Sequence, residues 1–303
     1  MKKKQNVPLR ECMNIFTWLL AAVLLCATVF FWYLAYRQAI VVFSREYKKA
    51  EPAQETEKEQ EIIDAHPYAQ KETLLKETPD AGREYIDTML FFGDSNTARF
   101  LLYHDAEGMT CTSVKNTAAV IGMGIQSIDN LKCMRFKDKT VTMTETAARL
   151  QPQRIFITMG TNNMHGTIDA DALTVEYEEK LRKIQEASPS SALIVSAIPP
   201  IAENCKYRDV TMEAIDAWNA ALLPMCERNG WHFLNTSEVL KDPLTGYARE
   251  GLMDGDGLHL KEEGVQTLFA YIRTHALVND EAGLIPFDDS EVKGPLTELL
   301  LNQ

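Results

Sequence analysis

Five short apolar runs, each closed by a polar loop and followed by a helical pattern, set the tightest limit on how this chain can fold. They are residues 88–93 (TMLFFG), 110–116 (TCTSVKN), 154–160 (RIFITMG), 191–198 (SALIVSAI) and 231–235 (WHFLN). Helical patterns fall at 95–105, 125–135, 142–150, 171–187, 209–228 and 261–277. Continuous apolar strands of this kind are covered on both faces, and strands separated by helices pair in parallel, since a parallel crossover needs a dozen or more residues. The economical result is a doubly wound, three-layer α/β/α sandwich. Ligands bind such a sheet beyond the carboxyl ends of its strands, so each residue just after a strand becomes a site candidate.

One segment obeys a different rule. Residues 16–36, FTWLLAAVLLCATVFFWYLAY, carry no charge over 21 positions, and about 20 such residues span a hydrocarbon core. We expect one uncleaved transmembrane helix there. Trp18 at one end and Trp32, Tyr33 and Tyr36 at the other suit the two interfacial belts, and Trp32-Tyr33-Leu34-Ala35 lacks the small-x-small pattern of a signal-peptide cleavage site. Three consecutive lysines, Lys2 to Lys4, precede the span and favour a cytoplasmic N-terminus of residues 1–15, with the rest of the chain outside. The expected organisation continues with a charged stalk at 37–84, a catalytic domain at 85–278 and a tail at 279–303.

Charge excludes one class of partner. The net charge is −12, and the first 49 residues hold eight Lys/Arg against two acids, so the remainder carries −18. A domain this acidic is repelled by phosphate backbones, and no nucleic-acid partner is expected. Cys111, Cys133, Cys205 and Cys226 either form two disulfides in an oxidising exterior or stay as buried thiols. No Cys/His cluster has zinc-like spacing, and neither metal nor cofactor is expected.

Four places carry candidate chemistry. Gly93-Asp94-Ser95-Asn96 follows the first apolar run, where a serine opening a helix is either a cap or a nucleophile beside free N–H groups and a positive dipole end. Gly122 and Gly124 lie in NTAAVIGMGIQSI, where a backbone N–H can approach a ligand without a side chain in the way. Asn162, in ITMGTNNMHG, has an amide able to donate to a developing oxyanion or to close an Asx-turn. Asp256 precedes His259 by three residues in DGDGLHL, a spacing that lets the carboxylate orient Nδ1–H and leaves Nε2 to take a proton from a serine.

Taken together and in this order, the four blocks resemble the SGNH hydrolase family, also called GDSL esterases and lipases, over roughly residues 86–277. The resemblance implies a flavodoxin-like five-stranded sheet, with Ser95 as nucleophile, His259 as general base and Asp256 as the acid orienting it. It implies an oxyanion hole of the Ser95 N–H, the Gly124 N–H (Gly122 being the alternative) and the Asn162 side chain, with Asp94, Asn96, Gly160 and Asn163 supporting it. Asn163 departs from the family, which usually carries aspartate after that asparagine.

The expected activity is hydrolysis of short-chain, chiefly O-acetyl, esters on glycans or envelope components by a membrane-anchored, extracytoplasmic enzyme. Its partners would be the acylated glycan or small ester and the bilayer around residues 16–36. The same triad also serves an O-acyltransferase or a lipase, and the fold can serve as a non-catalytic envelope-assembly module.

Overall fold

The computed structural model describes residues 72–279 and 283–297. The expected span at 16–36 and most of the expected stalk lie outside the described residues. Among the described residues no helix is long and apolar enough to cross a membrane.

Five parallel strands form the central sheet: β1 (Met89–Gly93), β2 (Thr117–Ala119), β5 (Arg154–Thr158), β6 (Ala192–Ser196) and β7 (His232–Leu234). Their order is β2-β1-β5-β6-β7, the flavodoxin-like arrangement in which the first strand sits inside and the second at the edge. The register runs Leu90 opposite Ile155, Phe92 opposite Ile157 and Ile155 opposite Leu193. The strand period of two sorts these side chains between two cores. Leu90, Phe92, Ile155, Ile157, Leu193 and Val195 face a cluster with Tyr177, Leu181, Trp218 and Leu222. Those residues belong to α4 (Ala170–Ala187) and α5 (Met212–Asn229). Met89, Phe91, Phe156 and Ile194 face the opposite cluster. There they meet α1 (Gly82–Asp87) and α7 (Glu262–Thr274), and Phe91 lies 5.4 Å from Phe156 and 5.7 Å from Phe269 between ring centres.

The helices start where capping chemistry lies. Thr142 and Glu145 form a reciprocal capping box on α3 (Met143–Leu150), satisfying two N–H groups that the helix end leaves unpaired. Asp169 and Thr211 cap α4 and α5.

Several expectations are corrected. The strand expected at 110–116 lies at 117–119 instead, because Asn116 is buried and spends its side chain on a turn: Oδ1 accepts from the Ser113 N–H at 2.9 Å and Nδ2 donates to Ile86 O at 3.2 Å. The helix expected at 95–105 is one turn of α2 (Ser95–Ala98) and a 3₁₀ turn, Arg99–Leu101. That at 125–135 shrinks to a 3₁₀ turn, Ile125–Ser127, because Asp129 is drawn to Lys180 and Lys183 and the chain then enters β3 (Met134–Phe136).

β3 belongs to a second, antiparallel sheet of order β4-β3-β8, with β4 at Thr140–Val141 and β8 at Val292–Pro295. The folded body thus exceeds the expected 85–278 at both ends. Phe233 exchanges backbone hydrogen bonds with Thr73 and Leu75, and β8 brings in residues expected to form a tail. The four cysteines are buried free thiols rather than two disulfides, and burial pushes Cys111 and Cys133 up to about 12.

Candidate active site

Three loops at the carboxyl ends of β1, β2 and β5 meet the loop that precedes α7. Ser95 is the first residue of α2, and Asp94 caps that turn by accepting the Asn96 N–H at 3.0 Å. The Ser95 hydroxyl lies 2.9 Å from Nε2 of His259, whose Nδ1 lies 2.6 Å from Oδ2 of Asp256. An imidazole held this way donates Nδ1–H to the carboxylate and leaves Nε2 as acceptor for the serine proton.

Asp256 is fixed in turn. Its Oδ1 accepts the N–H groups of Leu258 and His259 at 2.9 and 3.0 Å. Burial pushes its carboxyl up, but the hydrogen bonds from the His259 ring and the two backbone N–H groups outweigh that and hold it below the usual range. It is therefore an anion at neutral pH, as the orienting role requires.

The histidine loop is anchored to the serine turn twice. Asn96, buried, accepts the Leu260 N–H on its Oδ1 at 2.9 Å. Arg99 binds the Asp254 carboxylate at 2.8 Å and reaches Leu260 O at 3.4 Å.

The second and third blocks stand beside the serine turn. Among the described residues, the backbone N–H groups of Ser95 and Gly124 have no protein acceptor. Asn162 stands beside them, its Nδ2 donating to Asp94 Oδ2 at 3.2 Å and to Met123 O at 3.0 Å. Both amide hydrogens are thus occupied in this structure.

Asn163 braces the glycine loop. Its Oδ1 accepts the Ile125 N–H at 3.0 Å and its Nδ2 donates to Gln126 Oε1 at 3.1 Å. An aspartate here would keep the first bond and lose the donor, so the amide complements Gln126. Gly124 has an extended backbone (φ −94°), and a Cβ there would lie 2.7 Å from the Gln126 amide, so a side chain at 124 would displace Gln126 from its bond to Asn163. Gly122, by contrast, needs its positive φ of 76° and has open space around it.

Gly160 needs both. Its φ is +129°, and a Cβ would lie 2.5 Å from Nε1 of Trp218, which donates to Met159 O at 3.2 Å. Asp94, fully buried, has its carboxyl pushed up to about 6 by burial, against the Asn96 N–H and the nearby His259, which pull the other way.

A second histidine–carboxylate pair escaped the sequence reading. His165 Nδ1 lies 2.9 Å from Asp209 Oδ2, a pairing hidden by 44 residues of separation. His104 stands farther from its carboxylate, 3.8 Å from Glu262, and His232 Nδ1 bonds Glu72 O at 3.0 Å. Among the described residues no group of three or more His, Cys, Asp or Glu side chains is arranged to hold a metal ion.

No curated protein matches the chain. Solved structures that resemble it include a GDSL-like lipase from Bacteroides thetaiotaomicron, at 18% identity over 64% of this chain and 89% of that one, with a TM-score of 0.47. Others are a lipase/acylhydrolase from Enterococcus faecalis (16%, 61% and 92%, TM-score 0.41) and a carbohydrate esterase family 3 protein from Talaromyces cellulolyticus (16%, 61% and 93%, TM-score 0.44). Likenesses of this strength assign neither substrate nor partner. The family model of the GDSL-like lipase/acylhydrolases matches residues 91–267, more than half of the chain. The chain therefore belongs to the GDSL-like lipase/acylhydrolase family and is, by class, a carboxylic ester hydrolase.

Proposed function

We propose that the protein is a membrane-anchored, extracytoplasmic serine esterase that removes short acyl groups, chiefly acetyl, from glycans or other envelope components. The observation that carries the catalytic part is the unbroken chain Ser95–His259–Asp256, at 2.9 and 2.6 Å. His259 Nε2 takes the Ser95 proton as Oγ adds to the ester carbonyl. The Ser95 and Gly124 N–H groups and the Asn162 amide hold the resulting oxyanion, and Asp256 stabilises the imidazolium. The carbon–oxygen bond to the alcohol breaks as Nε2 returns the proton to it. Water, deprotonated by the same histidine, then releases the acid from Ser95.

The location is supported by the uncharged run at 16–36 and the lysines before it, which together read as a signal-anchor. A charged stalk would then hold the domain near the envelope, and the domain's strong negative charge disfavours anionic phospholipid as substrate.

The test is hydrolysis of p-nitrophenyl esters of increasing acyl length by the full chain. Acetate is expected to be cleaved fastest, Ser95→Ala to abolish turnover, and Asn162→Ala to lower kcat by about 100- to 1000-fold. A preference for long chains would overturn the short-acyl reading, and full activity in Ser95→Ala would overturn the mechanism. Adding a glycan acceptor separates hydrolysis from acyl transfer, because a transferase makes acylated acceptor without matching release of acid.

A further inference from the structure

The loop that carries Asp256 and His259 is bordered by a crest that the triad does not use. Residues 206–209, Lys-Tyr-Arg-Asp, are all exposed between buried Cys205 and buried Val210. The crest is tied at both ends to the machinery. At one end the Lys206 N–H donates to Asp256 O at 2.9 Å and the Ala202 N–H to Gly257 O at 2.8 Å. The fit there is close enough that a Cβ on Gly257 would meet the Cys205 Cα at 2.7 Å.

At the other end Asp209 binds the His165 ring at 2.9 Å and accepts the Gly166 N–H on its carbonyl at 2.8 Å, while Val210 bridges to His165. His165 lies three residues beyond Asn162, which is bonded to Asp94 beside Ser95. Hydrogen bonds thus tie one end of the crest to the Asp256 loop and the other to His165, which follows Asn162 along the chain.

We infer that His165, held by Asp209, and Tyr207 form the subsite for the alcohol portion of the substrate, and that this portion is a sugar. The inference rests on the esterase reading above. In that reaction His259 Nε2 hands its proton to the departing alcohol, and the loop that carries His259 is bonded to the crest segment through the Asp256 and Gly257 carbonyls. Asp209 occupies Nδ1 of His165 and leaves Nε2 to bond a ligand hydroxyl. The His165 and Asp209 side chains keep 45% and 62% of their exposure and Tyr207 40%, so the group is built yet open. An exposed aromatic ring with a polar tip, two residues before the aspartate that orients the imidazole, suits a molecule with an apolar C–H face and a rim of hydroxyls.

The experiment compares p-nitrophenyl acetate, ethyl acetate and acetylated xylo-oligosaccharide as substrates of the full chain. The parent is expected to prefer the sugar acetate to ethyl acetate. His165→Ala and Tyr207→Ala are each expected to lower kcat/KM on the sugar acetate by about tenfold, the loss of one good contact. Hydrolysis of p-nitrophenyl acetate stays within about twofold, and His165→Gln restores part of the sugar activity. Equal losses on both esters, no loss on either, or a parent that treats sugar acetate no better than ethyl acetate each overturn the subsite and leave the esterase reading standing. Failure of the parent to cleave p-nitrophenyl acetate at all overturns the esterase reading and the subsite with it.

Discussion

Asn96 and Asp94 flank the serine, and each makes a prediction separable from the triad's own. Asn96 anchors the histidine loop through its Oδ1 and the Leu260 N–H, while its Nδ2 is buried without an acceptor. Asn96→Ala removes a useful acceptor and a costly orphan donor together, so stability changes little. Activity falls by about 10- to 100-fold, because a base displaced by a fraction of an ångström loses its alignment. Urea melts paired with kcat test this; a large loss of stability with normal kcat would contradict it.

Asp94 responds to pH. Its carboxyl lies at about 6 in the fold against an ordinary 3.8, so the folded state holds the proton more tightly than the unfolded chain. Its contribution to stability is complete below about pH 4 and is lost as pH rises through 6, about 3 kcal/mol in all. Urea titrations of the parent and Asp94→Asn between pH 4 and 8 should show the parent losing ground over that interval and then levelling. A difference independent of pH would refute this.

At the scale of elements, the third block shows why a glycine precedes the asparagine. Gly160→Ala must adopt a φ of +129° and drive a methyl group into Trp218, and a loss of at least about 2 kcal/mol is expected, read by urea denaturation with tryptophan fluorescence. Stability unchanged from the parent would mean that the loop relaxes freely.

Elements of this kind were legible where burial wrote a pattern. MLFFG, RIFIT and ALIVS are continuous apolar runs because both faces are covered, and the capped helices α3 to α5 begin within three residues of where their signals place them. β2 was misplaced because Thr117–Ala119 is three small residues with no strand signature, while the β-branched residues before it are committed to the Asn116 turn. β8 was invisible because Val-Lys-Gly-Pro becomes a strand only by pairing with β3, about 158 residues away. The same reasoning covers the site: Asp256 and His259 are local and readable, whereas His165 and Asp209 meet only through the fold.

For the whole molecule, the second sheet binds the end of the described chain to the edge beside the oxyanion loop. Leu296 donates to Cys133 O, the Thr297 hydroxyl to Ala119 O, and Lys115 reaches Val292 O, with Val292 buried. Ending the chain at residue 282 removes all of these, and a drop in Tm of at least about 5 °C is expected by calorimetry. An unchanged Tm would show that β8 is only an ornament.

The attachment also has a consequence for the order in which the enzyme is made. Val292–Pro295 leaves the ribosome after every other element described here, yet it covers β2, from which the Gly124 loop springs. Until that strand is synthesised, Ser95 and His259 stand in a nascent domain whose β2 edge is uncovered, so the edge beside them closes only after both have been made.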